Sequence, residues 1–321
     1  MAALTDGQVA HFQREGYVVV ENLLDPEEDL DPVFREYSGV LDSLARDLYA
    51  KGEVSSLYAD LPFGPRLIEI IKESGKVHAQ YFDFSLHGAA VTDETQFWVG
   101  PEVFNLLRNK RLLDAAEALI GPEIYCNPVQ HIRLKPPEHL TPRDAEGRLQ
   151  LTKTPVHQDN GVVLPEADET EMLTVWFPLW DATVENGCLI VWPESHRKGL
   201  MDHCPAYDGL QIPRKLIRDE GLSVPLKRGD ALFMHKLTFH ASHPNLSNNV
   251  RWSFDLRYNP IGQPTGRGYY PGFVARSRQH PETELHDPEE WARLWHETRH
   301  HLALEGAGPF NRWSAESPVC A

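Results

Sequence analysis

The residues best suited to chemistry stand near the middle of the chain, in the tripeptide His157-Gln158-Asp159. Successive side chains of an extended segment alternate between two faces, so His157 and Asp159 should project to one side and Gln158 to the other. His240 follows 83 positions after His157. Because a Greek-key connection can bring distant strands side by side, this spacing is compatible with one site built from two imidazoles and one carboxylate.

Two neutral imidazoles and one carboxylate on one face of a metal form the facial triad of non-haem Fe(II) oxygenases. Three coordination positions then stay open, and a 2-oxo acid can fill two of them and leave one for dioxygen. The distal carboxylate of such an acid needs a cation. Arg251, eleven residues past His240, is suitable because its planar fork can grip a carboxylate bidentately. Ser242 and Trp176 can add a hydroxyl and a pocket wall.

A second pattern competes with this one near the C-terminus. The run His296-Glu297-Thr298-Arg299-His300 matches the HExxH motif of zinc peptidases, in which two histidines share a helical face. Only 21 residues follow His300, which leaves little room for a third ligand and a supporting helix. Thr298 and Arg299 are also too polar for a buried active-site helix. We therefore expect a solvated helix face.

The elements that must position these residues change character along the chain. Apolar spacing predicts helices first, and short β-rich runs with turn residues between them follow after Gly121. This order favours a sandwich or jelly roll over a parallel sheet. Single helices are predicted from Thr5 to before Gly16 and over 31–50, 65–73 and 287–304, and a pair of helices is predicted over 101–120. Strands are predicted over 17–20, 124–135, 173–180, 188–193, 223–226, 231–235, 239–242 and 251–258.

Composition limits the classes of function. The chain has 321 residues and a formal net charge of −16, which argues against binding to nucleic acid because phosphate backbones require basic surface. No stretch approaches the length of a membrane-spanning helix. Four widely separated cysteines without a CxxC pair predict reduced thiols and a cytoplasmic protein. They are Cys126, Cys188, Cys204 and Cys320.

The wider sequence resembles the phytanoyl-CoA dioxygenase family of Fe(II)/2-oxoglutarate oxygenases. His157-x-Asp159, His240-x-Ser242, Asn245 and Arg251 stand at the family spacing. The similarity covers about residues 5–260 and includes three framing segments, Gly16 to Val20, Lys135-Pro136-Pro137 and Asn186 to Leu189. One departure is Glu194, where the family usually has glycine, and it implies a different local turn.

The resemblance implies a mainly β fold with flanking helices, built on a double-stranded β-helix (jelly roll, cupin-like) core. We expect one oxygenase domain over 1–321. Its parts would be a mostly helical N-terminal buttress (1–122), the jelly-roll core (123–260) and a C-terminal extension with a helix (261–321).

The resemblance also implies roles for individual residues. The positions matching His157, Asp159 and His240 bind iron in that family. Those matching Arg251, Ser242 and Trp176 contact 2-oxoglutarate, and the position matching His131 lies near this cosubstrate. Asp159 matters further, because related halogenases have a small residue there that vacates a site for chloride.

The implied activity is Fe(II)- and 2-oxoglutarate-dependent hydroxylation of an unactivated C–H bond in a small organic substrate. Dioxygen is the second cosubstrate, and succinate and CO2 are the co-products. Desaturation and ring formation are variants of the same chemistry. The alternative is a non-catalytic member that binds metal and 2-oxoglutarate as a sensor or scaffold. The sequence leaves the substrate, whether acyl-CoA or another small molecule, and the oligomeric state open.

Overall fold

A computed structural model describes residues 4–86, 91–151, 153–306, 308 and 312–320. Helices occupy most of its N-terminal part, and one long helix closes the chain. Their bounds are α1 (Asp6–Glu15), α2 (Asp31–Ala50), α3 (Phe63–Ser74), α4 (Ala79–Phe82), α5 (Pro101–Leu107), α6 (Lys110–Ile120) and α7 (Pro288–Glu305).

The predicted helices follow from local sequence. Helix α1 begins with a capping box between Thr5 and Gln8 and ends at Gly16, which adopts the left-handed conformation with φ of 82°. Helix α2 buries a stripe at helical spacing, which includes Val33, Tyr37 and Leu44. Burying such stripes against a sheet gives these helices most of their stability.

The strands form one large sheet, one small sheet and a hairpin. Their bounds are β1 (Tyr17–Val20), β2 (Glu123–Lys135), β3 (Leu173–Pro178), β4 (Leu189–Val191), β5 (Cys204–Ala206), β6 (Gly209–Gln211), β7 (Leu222–Val224), β8 (Ala231–His235), β9 (His240–Ser242), β10 (Arg251–Pro260) and β11 (Phe273–Ser277). The large sheet has the order β1-β8-β3-β10-β2-β11, the small sheet has the order β7-β4-β9, and β5 pairs with β6. All the pairings are antiparallel.

Strand β10 shows how the large sheet separates core from site. Its even-numbered residues Trp252, Phe254, Leu256 and Tyr258 are fully buried in the main hydrophobic cluster. Helices pack on this face, where Phe63 of α3 stacks on Trp252 with ring centroids 4.6 Å apart. The odd-numbered side chains of β10 face the opposite way, toward the small sheet. The large sheet therefore has a helix-covered face and a face that is free to form a site.

Two strands of the large sheet come from outside the predicted core segment. Strand β1 pairs with β8, with Tyr17 opposite Met234. Strand β11 pairs with β2, with Phe273 opposite Cys126. The large sheet thus includes one strand from the N-terminal segment and one from the C-terminal segment. Strand β11 was not predicted.

One local expectation needs correction. Cys204 and Cys320 are joined by a disulfide across 116 residues, so the prediction of four reduced thiols is wrong for this pair. Cys126 and Cys188 are free and buried. The reason is topological, because distance along the chain does not reveal that the C-terminal segment returns to β5. Glu194 adopts φ of 59°, the region that glycine favours, and the different local turn implied by the resemblance stays a prediction.

None of the helices in the described ranges combines the length and the apolar character needed to cross a membrane.

Candidate metal centre

The main chain itself brings the two predicted histidine ligands together. His157 and His240 form an isolated antiparallel bridge, in which each N–H donates to the carbonyl of the other at 3.0 Å. Their ring centroids lie 4.2 Å apart, so both imidazoles are on the same side of the bridge. Gln158 points away, and its amide donates to the carbonyls of Gly199 and Leu237. The predicted alternation of side chains around His157 is therefore confirmed.

Each imidazole is fixed in the tautomer that leaves Nε2 available. His157 Nδ1 lies 2.9 Å from the Pro155 carbonyl oxygen, and His240 Nδ1 lies 3.1 Å from that of Thr238. Since a carbonyl can only accept, both Nδ1 atoms carry the proton. Burial, with a smaller contribution from His240, lowers the pKa of His157 to about 3. The ring of His157 is therefore neutral, as a metal ligand must be.

Asp159 supplies the carboxylate between these rings. Its Oδ1 lies 3.9 Å from His157 Nε2 and 3.8 Å from His240 Nε2. The Thr174 hydroxyl donates to Oδ2, and the Arg257 guanidinium donates to Oδ1. Burial opposes ionisation of this carboxyl, but Arg257 outweighs it and, with the two histidines, holds the pKa of Asp159 well below its usual range. Asp159 is therefore a buried, ionised carboxylate.

The three ligand atoms lie within 4.8 Å of one another. In the described part of the chain, this is the one cluster of three or more His, Cys, Asp or Glu residues that can hold a metal ion. Two imidazole nitrogens and one carboxylate oxygen are a donor set suited to a divalent transition metal with open positions. The backbone carbonyls behind both histidines, and Thr174 and Arg257 behind Asp159, orient these ligands.

A cavity of about 430 Å³ adjoins this cluster. Val129, Leu189, Leu210 and Met234 are among its apolar lining residues. Its polar lining includes His157, His240, His131, Arg133, Arg251, Asp255, Arg257 and Arg267. A site of this size, with apolar walls and a few converging polar groups, is typical of small-molecule binding.

Arg251 lies in the wall of this cavity. It is 3% exposed, its guanidinium lies over the Trp176 ring at 5.5 Å, and it donates to the Ser253 hydroxyl. Burial, followed by the nearby charge of Arg133, lowers the pKa of Arg251 to about 10, so it remains a cation. Its Nε is buried and has no hydrogen-bond partner among the described residues. The structure therefore brings Arg251 and Trp176 together at the site, as predicted.

Ser242 and His131, the other two residues predicted to contact the cosubstrate, are hydrogen-bonded to other protein groups. The Ser242 Oγ accepts from Lys135 Nζ at 2.7 Å and from the Thr154 N–H at 2.8 Å, and Ser242 is not among the described residues that line the cavity. His131 does line the cavity, and its Nδ1 lies 2.8 Å from Asp83 Oδ2. The roles of Ser242 and His131 toward a cosubstrate stay predictions.

Sequence reasoning missed Asp255 and Arg257. Both line the cavity, and Arg257 bonds the proposed carboxylate ligand. The signal is the alternation in β10, where Arg251, Ser253, Asp255 and Arg257 occupy every second position and large apolar residues lie between them. A strand with one polar face that starts at a predicted site residue should carry further site residues on that face.

The HExxH segment does not form a metal site. It lies on α7, where Glu297 is bonded to Arg293 and His300 Nδ1 is 2.9 Å from Asp93. The His296 ring packs against Phe97 with centroids 5.1 Å apart. These contacts agree with the predicted solvated face and not with a peptidase centre.

Comparison with known protein families matches residues 12–253 to the family described as Phytanoyl-CoA dioxygenase (PhyH). The chain belongs to the phytanoyl-CoA dioxygenase family. Among curated relatives in this family is zebrafish (Danio rerio) phytanoyl-CoA dioxygenase domain-containing protein 1, with 29% identity over 78% of this chain and 88% of the relative. Human peroxisomal phytanoyl-CoA dioxygenase is 23% identical, over 79% of this chain and 68% of the human protein. The family predicted from the sequence is confirmed.

Solved structures support the fold of this phytanoyl-CoA dioxygenase family member. The non-heme monooxygenase ThoJ aligns with a TM-score of 0.56 at 17% identity, over 93% of this chain and 99% of ThoJ. The epimerase SnoN, solved in complex with Fe³⁺, alpha-ketoglutarate and nogalamycin RO, aligns with a TM-score of 0.51 at 21% identity, over 82% and 88% of the chains. The predicted fold class, a mainly β jelly roll with flanking helices, is thereby confirmed.

Proposed function

We propose that this protein is an Fe(II)- and 2-oxoglutarate-dependent dioxygenase that hydroxylates an unactivated C–H bond of a small organic substrate. The observation that carries the proposal is the convergence of His157 Nε2, Asp159 Oδ1 and His240 Nε2 beside a cavity lined by the two histidines. The family and the SnoN complex with Fe³⁺ and alpha-ketoglutarate support the same reading.

The donor set fits ferrous ion, which His157, Asp159 and His240 would hold. When bound, this ion supplies activation of dioxygen at the expense of 2-oxoglutarate, which leaves as succinate and CO2. The chain contributes preorganisation. The two Nδ1 hydrogen bonds fix the orientation of both imidazoles, and Arg257 keeps Asp159 ionised, so this carboxylate needs no proton transfer before it binds.

Arg251 is the residue best placed to hold the distal carboxylate of 2-oxoglutarate. It is a buried cation in the cavity wall, and its Nε lacks a partner among the described residues. A buried donor left without a partner is costly, and a carboxylate would satisfy it with a charge-assisted bond. The Trp176 ring beneath the guanidinium limits its rotation.

Hydroxylation is the reaction that the site favours. The carboxylate of Asp159 fills the position that related halogenases leave vacant, so chlorination is not expected. Apolar walls formed by Val129, Leu189 and Met234 suit a substrate that presents C–H bonds rather than charges near the metal site. These walls would also exclude water from the reacting centre.

Succinate release in the presence of Fe(II), 2-oxoglutarate, ascorbate and oxygen tests the proposal. We expect turnover with the wild type and with His301→Ala, a control variant at an exposed histidine of α7, and none with His157→Ala. Equal succinate release by His157→Ala would refute the assignment. Wild-type protein that binds metal and 2-oxoglutarate but releases no succinate with a substrate panel would favour the sensor or scaffold alternative.

A further inference from the structure

The cavity at the metal site shares part of its wall with a second cavity of about 280 Å³. Both cavities are lined by Arg133, Thr154, His157, Val162, Gly209 and Leu210. The second cavity has a more polar lining, which includes Gln150, Lys153 and Asp208. A ligand that spans the junction would therefore place one end near the metal ligands and the other among polar side chains.

Arg133 stands at this junction. It lies on β2 opposite Ser253 of β10, between the pairs formed by Lys135 with Arg251 and by His131 with Asp255. It is half-buried and lines both cavities. Its neighbours on this sheet face are the basic Lys135 and Arg251 and the carboxylate of Asp255, which lies 3.5 Å from Arg257.

The arginines that line the first cavity differ in their partners. Arg257 bonds Asp159, and Arg251 bonds Ser253. Arg267 donates to the Val162 carbonyl at 2.6 Å. Arg133 makes no hydrogen bond and no ion pair with any residue that the structure describes. A partly buried guanidinium that stands next to the cation Arg251 and has no ion pair of its own is unfavourable unless an anion joins it.

One anion is already assigned, because the distal carboxylate of 2-oxoglutarate belongs with the fully buried Arg251. A second anion is needed for Arg133, and it must reach the junction from the side of the second cavity. A planar guanidinium prefers a carboxylate or a phosphate. The net charge of −16 opposes a ligand with several phosphates, and in the second cavity Asp208 offsets the charge of Lys153.

We propose that the substrate is an amphiphilic carboxylic acid whose carboxylate binds Arg133 at the junction while its apolar body enters the first cavity toward His157 and His240. This inference rests on the proposed function, because it assigns the first cavity to 2-oxoglutarate and substrate together. Arg133 is then the residue that selects a free acid and sets which carbon faces the metal site.

The test is a binding measurement with defined probes. Straight-chain acids of six to twelve carbons and 3-phenylpropanoate, each with its methyl ester, and decanoyl-CoA are titrated by calorimetry. The samples are wild type, Arg133→Met, and Arg46→Met, a control at an exposed arginine of α2. We expect at least one acid to bind wild type and Arg46→Met more tightly than its ester does. Its affinity should fall about tenfold to one hundredfold in Arg133→Met, since one charge-assisted contact is lost.

This assignment would be overturned if no acid in the series bound more tightly than its ester, or if the preference for the acid persisted in Arg133→Met. It would also be overturned if the affinity for decanoyl-CoA depended more strongly on Arg133 than the affinity for any acid did. A parallel titration with Mn(II) and 2-oxoglutarate separates the proposals. Unchanged 2-oxoglutarate affinity in Arg133→Met supports a role toward substrate, and a tenfold loss would make Arg133 a cosubstrate residue instead. Because the probes are also titrated into metal-free protein, failure of the metal site would not conceal the outcome.

Discussion

Arg257 donates a hydrogen bond to Oδ1 of Asp159, the same oxygen that lies 3.8 Å from His240 Nε2. Both residues are almost fully buried, at 3% and 1% exposure. The interaction joins the large sheet, through β10, to the segment that follows His157. It also ensures that the carboxylate is charged before any metal arrives, because the guanidinium outweighs the effect of burial.

Replacing Arg257 with methionine should therefore weaken both folding and metal binding. The change leaves a buried carboxylate without its cation, which typically costs about 3–5 kcal/mol. We expect the free energy of unfolding in urea to fall by this order, and Mn(II) affinity measured by calorimetry to fall at least tenfold. Arg293→Met, at an exposed arginine of α7, is the control. Wild-type Mn(II) affinity in Arg257→Met would show that this contact does not prepare the ligand.

Arg251→Lys should keep the positive charge in the cavity wall but lose the planar guanidinium that can donate two parallel hydrogen bonds. A single ammonium cannot grip a carboxylate bidentately, so 2-oxoglutarate affinity should fall about tenfold to one hundredfold. Calorimetry with Mn(II)-loaded protein measures this, and Mn(II) affinity itself should stay unchanged. An unaltered affinity for 2-oxoglutarate would place its distal carboxylate elsewhere.

Stability of the metal-free protein should decrease on acidification from pH 6.5. Burial lowers the pKa of His157 to about 3, and burial lowers the pKa values of His78, His203 and His235 to about 4. The unfolded chain therefore takes up protons first. The stability from these neutral rings is complete above pH 6.5 and is lost as the pH falls toward 4, and toward 3 for His157.

Urea unfolding between pH 7.5 and 5 tests this effect in a range where most carboxylates stay ionised. Each such histidine should contribute a slope of up to about 1.4 kcal/mol per pH unit. His203→Gln should reduce the slope by nearly one such contribution, while the exposed His286→Gln should not. A flat profile in the wild type would contradict the buried, neutral state of these rings.

The disulfide between Cys204 and Cys320 should stabilise the hairpin next to the cavity. Pro205 and Ala206, directly after Cys204, line the cavity, so the bond ties part of its wall to the C-terminal segment. Cys320→Ser should lower the free energy of unfolding by about 2–4 kcal/mol. Dithiothreitol should lower wild-type stability to the same level and leave the variant unchanged. Equal stability of oxidised wild type and Cys320→Ser would show that the bond does not support the fold.

The features of the fold and the site that could be predicted from sequence are those encoded by residues close together in the chain or by a known pattern of metal ligands. The bounds of α2 match their prediction because a buried helical stripe is encoded locally in its own residues. The meeting of His157 and His240 was predicted from the known donor pattern of two histidines and one carboxylate, although only His240 lies in a strand, β9. The alternation in β10 was present in the sequence, and reading its polar face would have found Asp255 and Arg257.

Other features depend on contacts that no local pattern encodes. Strand β11 is recognised only by its pairing with β2, in which Ser277 lies opposite Glu123, 154 positions earlier in the chain. The disulfide depends on the return of the C-terminal segment to β5. The lack of a bonded partner for Arg133 among the described residues is likewise a tertiary property, because a single arginine on a strand usually forms an ion pair at the surface. The cytoplasmic location stays a prediction.

The central claim is that His157, Asp159 and His240 bind one metal ion. Anomalous diffraction from crystals grown with Mn(II) and 2-oxoglutarate tests it most directly. We predict one strong peak within about 2.5 Å of His157 Nε2, His240 Nε2 and an Asp159 oxygen, and its loss in His240→Ala. A peak at another cluster, or none at these three side chains in fully loaded crystals, would contradict the claim.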